Sequence, residues 1–184
     1  MGLTEHVRVN LERLLQLGYS AERAAAFAYR GHARSLKDPE EKTHIARIEA
    51  EEWEHRDNLL RMLNRLHLRP SRWLEWKYAC IGRLISASCH IIGYFAPMYF
   101  AGRLESGNVN EYLHMIELAR GTAIADEIPC LLEMARVEKQ HELYFLARIE
   151  AHWLLPWFRP WFRWGPGVSF NPMSAGEAEE PSTV

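Results

Sequence analysis

Two Glu-x-x-His tetrads, Glu52 to His55 and Glu138 to His141, stand out in this 184-residue chain as spacings that could do chemistry. Residues three apart share a helix face, so each tetrad can offer one carboxylate oxygen and one imidazole nitrogen to a single metal ion. Each interrupts an apolar stripe of helical period. Ile45, Ile48, Leu59 and Met62 flank the first, and Leu131, Met134, Phe145 and Ile149 flank the second. Two further acids break stripes in the same manner: Glu22 beside Ala25, Ala26, Tyr29 and Ala33, and Glu105 among Met98, Ala101, Tyr112 and Ile116. Four glutamates and two histidines are neutral when two divalent ions are bound, whereas the empty set concentrates costly charge in a core. Hard carboxylates with imidazole suit iron or manganese.

Helices must carry these residues, because runs of alternating β-branched residues are missing and helix punctuation is frequent. The expectation is an all-α chain. A first helix runs from about Leu3 to Leu17 and stops at Gly18, with Ser20 capping a second that reaches Leu36. Asp38 and Pro39 open a third that continues to about Leu68, where Arg69-Pro70 ends it. Ser71 caps a hydrophobic helix to about Ile92, another runs from near Pro97 to Arg120-Gly121, and the last extends from between Thr122 and Asp126 to about His152.

Antiparallel helices place residues level when those residues are equally far from the turn, since both rise ~1.5 Å per residue. The midpoint between Glu22 and Glu52 falls at the Lys37-Asp38-Pro39 break, and that between Glu105 and Glu138 falls at Gly121. Both pairings therefore put their carboxylates at one height. Glu111 and Glu117 are rivals to Glu105 on the same helix, Glu117 requiring a turn nearer Pro129. A metal-free alternative pairs the acids with arginines such as Arg23 or Arg56. Tyr29 and Tyr112 either hydrogen-bond the cluster or fill the core, while Cys89 and His90 read as packing residues.

Composition narrows the function classes. Hydrophobic residues make up 48% and charged ones 25%, the balance of one globular domain. With 22 Lys plus Arg against 24 Asp plus Glu, no broad basic surface exists to neutralise phosphates, which argues against nucleic acid as a partner. Three cysteines, Cys80, Cys89 and Cys130, match no zinc or redox spacing, and Glu5, His6, Arg8, Glu12 and Arg13 break up the N-terminal stretch that a signal peptide would keep apolar. The segment 153–164 reads WLLPWFRPWFRW, in which Trp and Phe alternate with Arg159 and Arg163 as at a lipid headgroup boundary. Its bland alternative is an aromatic flap over the end of the helices.

These residues resemble the demethoxyubiquinone hydroxylase family, di-iron enzymes of the ferritin-like superfamily, over about residues 20–150. The resemblance rests on Glu22-x-x-Ala25-x-x-x-Tyr29-x-Gly31, on the run from Glu52-x-x-His55 to Arg69-Pro70, and on Gly82, Gly93, Glu105, Tyr112 and Glu138-x-x-His141 in register. It implies a ferritin-like four-helix bundle over 1–152, with 1–18 as an extra N-terminal helix and an added hydrophobic helix. After residue 152 the composition itself, not the resemblance, points to a Trp-rich membrane-interface segment at 153–170 and a disordered tail at 171–184. The resemblance further implies that Glu22, Glu52, His55, Glu105, Glu138 and His141 are both the iron ligands and the catalytic set.

The implied activity is a non-haem di-iron monooxygenase that inserts one O2-derived oxygen into the ring of a prenylated quinone in ubiquinone biosynthesis. Such an enzyme needs two iron ions, an external reductant with NADH among the candidates, and a cytoplasmic position on the inner face of a membrane. A partner protein of quinone biosynthesis would fit that setting. Two departures from the family stand out: Asn110-Glu111 replaces a histidine pair before Tyr112, and the Trp-rich segment replaces a hydrophobic C-terminal helix. Rival readings are a rubrerythrin-like oxidase or peroxidase, for which the Cys-x-x-Cys pair is missing, and a non-catalytic membrane-associated protein that holds a prenyl quinone.

Overall fold

Five breaks in the chain separate its six helices and so decide which of them lie beside one another. The computed structural model describes residues 2–167, and within them every regular element is helical. The helices are α1 (Gly2–Ser35), α2 (Pro39–Arg65), α3 (Arg72–Ser88), α4 (Phe95–Ala119), α5 (Ile128–Ile149) and α6 (Leu155–Phe162), with a 3-10 turn over Ala125–Glu127 ahead of α5. The tail at 171–184 and the last residues of the aromatic segment lie outside the described residues.

The expected start signals work as read. Asp38 accepts a hydrogen bond from the Glu41 amide at 2.8 Å with Pro39 in the first turn of α2, and Ser71 accepts one from the Leu74 amide at 3.4 Å to open α3. The break expected at Gly18 does not occur, so residues 1–18 are no separate helix. Here α1 runs unbroken through Gly18 and Ser20, because packing overrides the local stop signal. A Cβ on Gly18 would come within 3.2 Å of Met115 Cε and 3.3 Å of Leu59 Cδ1, and Leu11 and Leu15 of the same helix are fully buried. Gly18 lets two neighbouring helices approach.

Cross-helix contacts give the directions. Arg30 meets Glu49 and Arg56 donates to the Tyr19 carbonyl, so α1 and α2 are antiparallel. His55 meets Glu138 and Arg61 meets Glu127, so α2 and α5 are antiparallel as well. By contrast Arg23 bonds Glu75 and Gly31 abuts Ser86, which runs α3 parallel to α1. Those two helices touch backbone to backbone: a Cβ on Gly82 would sit 2.5 Å from the Ala24 carbonyl oxygen. Most of the remaining surface of α3, including Trp73, Trp76, Leu84 and Ile85, faces outward.

Buried apolar residues form two clusters. One gathers Leu11, Leu15, Leu59, Met62, Met115 and Leu131; the other gathers Tyr29, Ile45, Ile48, Met98, Phe145 and Ile149. On α1, α2, α4 and α5 alike, the Glu and His positions fall in sequence between the two clusters. Apolar burial at both levels, at roughly 25 cal/mol per Å², holds a charged layer that could not stabilise itself.

Candidate metal centre

Each of the six residues singled out by spacing is buried, and α1, α2, α4 and α5 bring them together. Their ligand atoms form two overlapping groups, Glu22, Glu52, His55 and Glu138, and Glu52, Glu105, Glu138 and His141, with the atoms of each group within 4.8 Å of one another. Each group has three carboxylates and one imidazole and could hold a metal ion. Glu52 and Glu138 belong to both.

Internal pairing leaves the cluster incomplete. His55 Nδ1 lies 3.0 Å from Glu138 Oε1, while His141 Nδ1 stands 3.7 Å from both Glu52 Oε1 and Glu138 Oε2. Glu22 Oε2, both Glu52 oxygens, Glu138 Oε2 and His141 Nδ1 are buried without a hydrogen-bond partner. Buried polar atoms are nearly always satisfied, so five orphans within these two groups fit a set of side chains able to hold metal ions. The arginine alternative fails on geometry. Arg23 and Arg56 both bond Glu75 of α3, at 3.0 Å and 2.5 Å, away from the six residues.

Around this set lie donors that hold it. The Tyr29 hydroxyl donates to Glu105 and the Tyr112 hydroxyl donates to Glu22, so both phenols are buried packing groups and hydrogen-bond donors at once. Asn108 Nδ2 donates to Glu105 Oε2 at 3.1 Å. His141 turns its other nitrogen, Nε2, to Glu51 Oε2 at 2.7 Å, which fixes the ring with Nδ1 toward the cluster. Sequence reasoning missed Glu51 and Asn108. Glu51 precedes Glu52 and sits about 100° round the helix, where a partner for a neighbouring histidine could have been sought.

The rivals on α4 fall outside the centre. Glu117 is 75% exposed and pairs loosely with His114, and Glu111 is half-buried and belongs to neither group. Cys80, Cys89 and Cys130 are free thiols, with Cys89 buried.

Protons compensate the charge in the absence of metal. Burial, reinforced by the neighbouring carboxylates, raises Glu52 and Glu105 well above the ordinary carboxylate value and raises Glu22 too. Burial also pushes Glu138 upward, but hydrogen bonds with Glu105, His141 and His55 outweigh it and hold this carboxylate ionised. His141 loses proton affinity to burial and regains more from Glu138 and Glu51, ending near 9.

The aromatic segment divides in two. Leu155 and Trp164 are buried, with the Trp164 indole donating to Glu142 at 3.0 Å and Tyr99 donating to the Trp164 carbonyl at 2.8 Å. Trp153, Trp157 and Trp161, spaced four apart, face outward. Among the described residues no helix is long and apolar enough to cross a membrane. Comparison of the chain with protein-family models, curated proteins and solved structures found no match.

Proposed function

We propose that α1, α2, α4 and α5 form a ferritin-like four-helix bundle around a di-iron centre, and that the chain is an O2-dependent monooxygenase acting on a prenylated quinone-like ring at a membrane surface. The observation that carries this reading is the sharing of Glu52 and Glu138 between two groups of three carboxylates and one histidine. Glu22, Glu52, His55 and Glu138 would hold one ion, and Glu52, Glu105, Glu138 and His141 the other.

When bound, the iron pair supplies the redox chemistry of O2 activation, one oxygen atom entering the ring and the other leaving as water, with two electrons from an external reductant. The protein's own groups do the rest. Tyr29 and Tyr112 orient Glu105 and Glu22 and can hold a proton against them, Glu51 keeps the His141 ring in place, and the two apolar clusters exclude water. Trp73, Trp76, Trp153, Trp157 and Trp161 supply exposed aromatic surface suited to a lipid headgroup boundary.

Anaerobic loading with Fe(II) followed by metal analysis tests the centre, and mass spectrometry of a demethoxyquinone substrate after admission of O2 and reductant tests the reaction. Two irons per chain and a product heavier by one oxygen atom are expected, with product lost in Glu105→Ala and His141→Ala. Failure to bind iron, or unchanged hydroxylation in those variants, overturns the reading.

A further inference from the structure

Beside the Glu and His cluster, on the side of Tyr29, lies a cavity of about 370 Å³ between α1, α3 and α4. Its wall is apolar apart from a few groups, with Ala25, Ile85, Pro97, Ala101 and Leu104 contributing hydrocarbon. The volume falls in the ~300–1,000 Å³ range typical of small-molecule sites. Two features distinguish it from a packing defect. Ile85, Ile92, Phe100 and Leu104 line it and are also exposed, so the cavity is continuous with apolar surface. Phe100 meets the Phe162 ring at 4.9 Å, which brings the end of the Trp-rich helix α6 against this rim.

The second feature is His32. It lines the same cavity, is 3% exposed, and its Nε2 is buried without a hydrogen-bond partner. Burial lowers its pKa to about 4, so at neutral pH the ring is an uncharged imidazole, able to donate at one nitrogen and accept at the other. The ring stacks on Phe145 at 6.3 Å, and an imidazole nitrogen left unsatisfied beside a hydrocarbon wall is costly unless something polar meets it. Tyr29, one helical turn earlier, lines the cavity as well and carries its hydroxyl to Glu105. A ring in the cavity is thus one side chain away from the carboxylate layer.

We propose that this cavity binds a lipid-derived molecule whose ring bears a hydroxyl or carbonyl oxygen, and that His32 is the polar group that recognises that oxygen. The molecule enters between Ile85, Ile92, Phe100 and Leu104 from the lipid side, and His32 sets how its ring lies against Tyr29. This deepens the monooxygenase reading, since it supplies that reaction with a place for its substrate.

Equilibrium dialysis of the full-length chain against 4-butylphenol, with butylbenzene as the probe lacking the oxygen, tests the cavity with and without bound iron. Wild-type protein should bind 4-butylphenol saturably. Ala101→Phe, which fills the cavity, should abolish binding of both probes. His32→Phe should weaken 4-butylphenol about tenfold while leaving butylbenzene unchanged, and His32→Gln should restore much of the loss. Absence of saturable binding, or binding indifferent to Ala101→Phe, overturns the cavity as a site. Equal affinity of wild type and His32→Phe for 4-butylphenol overturns the role of His32. Iron stoichiometry, measured on the same samples, separates the two readings: phenol binding without iron binding keeps the cavity and removes the oxygenase, and iron without phenol does the reverse.

Discussion

Tyr29 of α1 donates its hydroxyl to Glu105 of α4, and the same contact recurs with the helices exchanged, Tyr112 of α4 donating to Glu22 of α1. Each tyrosine follows its own helix's glutamate by seven residues, two turns, so an antiparallel crossing brings both pairs into register at once. One phenol belongs to the apolar cluster on each side of the charged layer. In metal-free protein, Tyr29→Phe and Tyr112→Phe should each cost about 1 kcal/mol, the net worth of one hydrogen bond, read as a lower urea midpoint with an unchanged m value. No loss in either variant would mean that the phenols serve only to pack.

The shared carboxylates make metal stoichiometry a sharper probe than affinity. Glu22→Ala should leave one ion per chain, because the group of Glu52, Glu105, Glu138 and His141 stays whole. Glu138→Ala should lose both, since it removes a ligand from each group. Glu51→Gln, which loosens His141 without touching a ligand, should keep two ions and weaken binding roughly 10–100-fold. Metal analysis after dialysis against graded chelator distinguishes the three.

Stability should depend on pH differently with and without metal. Glu22, Glu52 and Glu105 have raised values in the fold, so above the ordinary carboxylate pKa the folded state holds protons that the unfolded chain has released, and stability falls as pH rises. His141 acts in the same sense, its contribution present below about 6.5 and lost as pH rises through about 9. Glu138 opposes them, as does Glu51 beside His141: their depressed values add stability above the ordinary carboxylate range that is lost only on acidification. Metal-free protein should therefore unfold at lower urea at pH 9 than at pH 6. Loaded protein should lose this trend or reverse it, because metal binding favours deprotonated ligands.

The divided aromatic segment separates anchoring from folding. Trp164 is buried with its indole bonded to Glu142, and its ring lies where a Cβ on Gly102 would stand, 2.2 Å away. Trp164→Ala should destabilise the protein by about 3 kcal/mol. Trp157→Ser with Trp161→Ser, at positions 69% and 83% exposed, should change stability by no more than about 0.5 kcal/mol. Flotation with vesicles of a phosphatidylcholine and phosphatidylglycerol mixture should show the wild type bound and the double variant free. Equal recovery of both would remove the membrane anchor.

Much of the candidate centre was legible because its Glu and His residues obey helical spacing on either side of a turn. The stripes around Glu52, His55, Glu138 and His141 are buried as their period required, and Glu22 and Glu105 stand level with their partners. Gly18 misled because a glycine after an apolar stretch reads the same whether it ends a helix or admits Met115 and Leu59. Glu51 escaped because its partner, His141, lies 90 residues away on another helix.

The amino-acid sequence alone determined the six candidate ligands and their common height, since distance along a helix from a turn is a property of the chain itself. Only the tertiary structure decided which carboxylates are shared, which acid each phenol serves, and that α3 lies parallel on α1 across Gly31 and Gly82. It also decided that His32 Nε2 is left without a hydrogen-bond partner beside an apolar wall. Those outcomes depend on how helices remote in sequence lie side by side, which side-chain size and close packing select and no spacing within a single helix records.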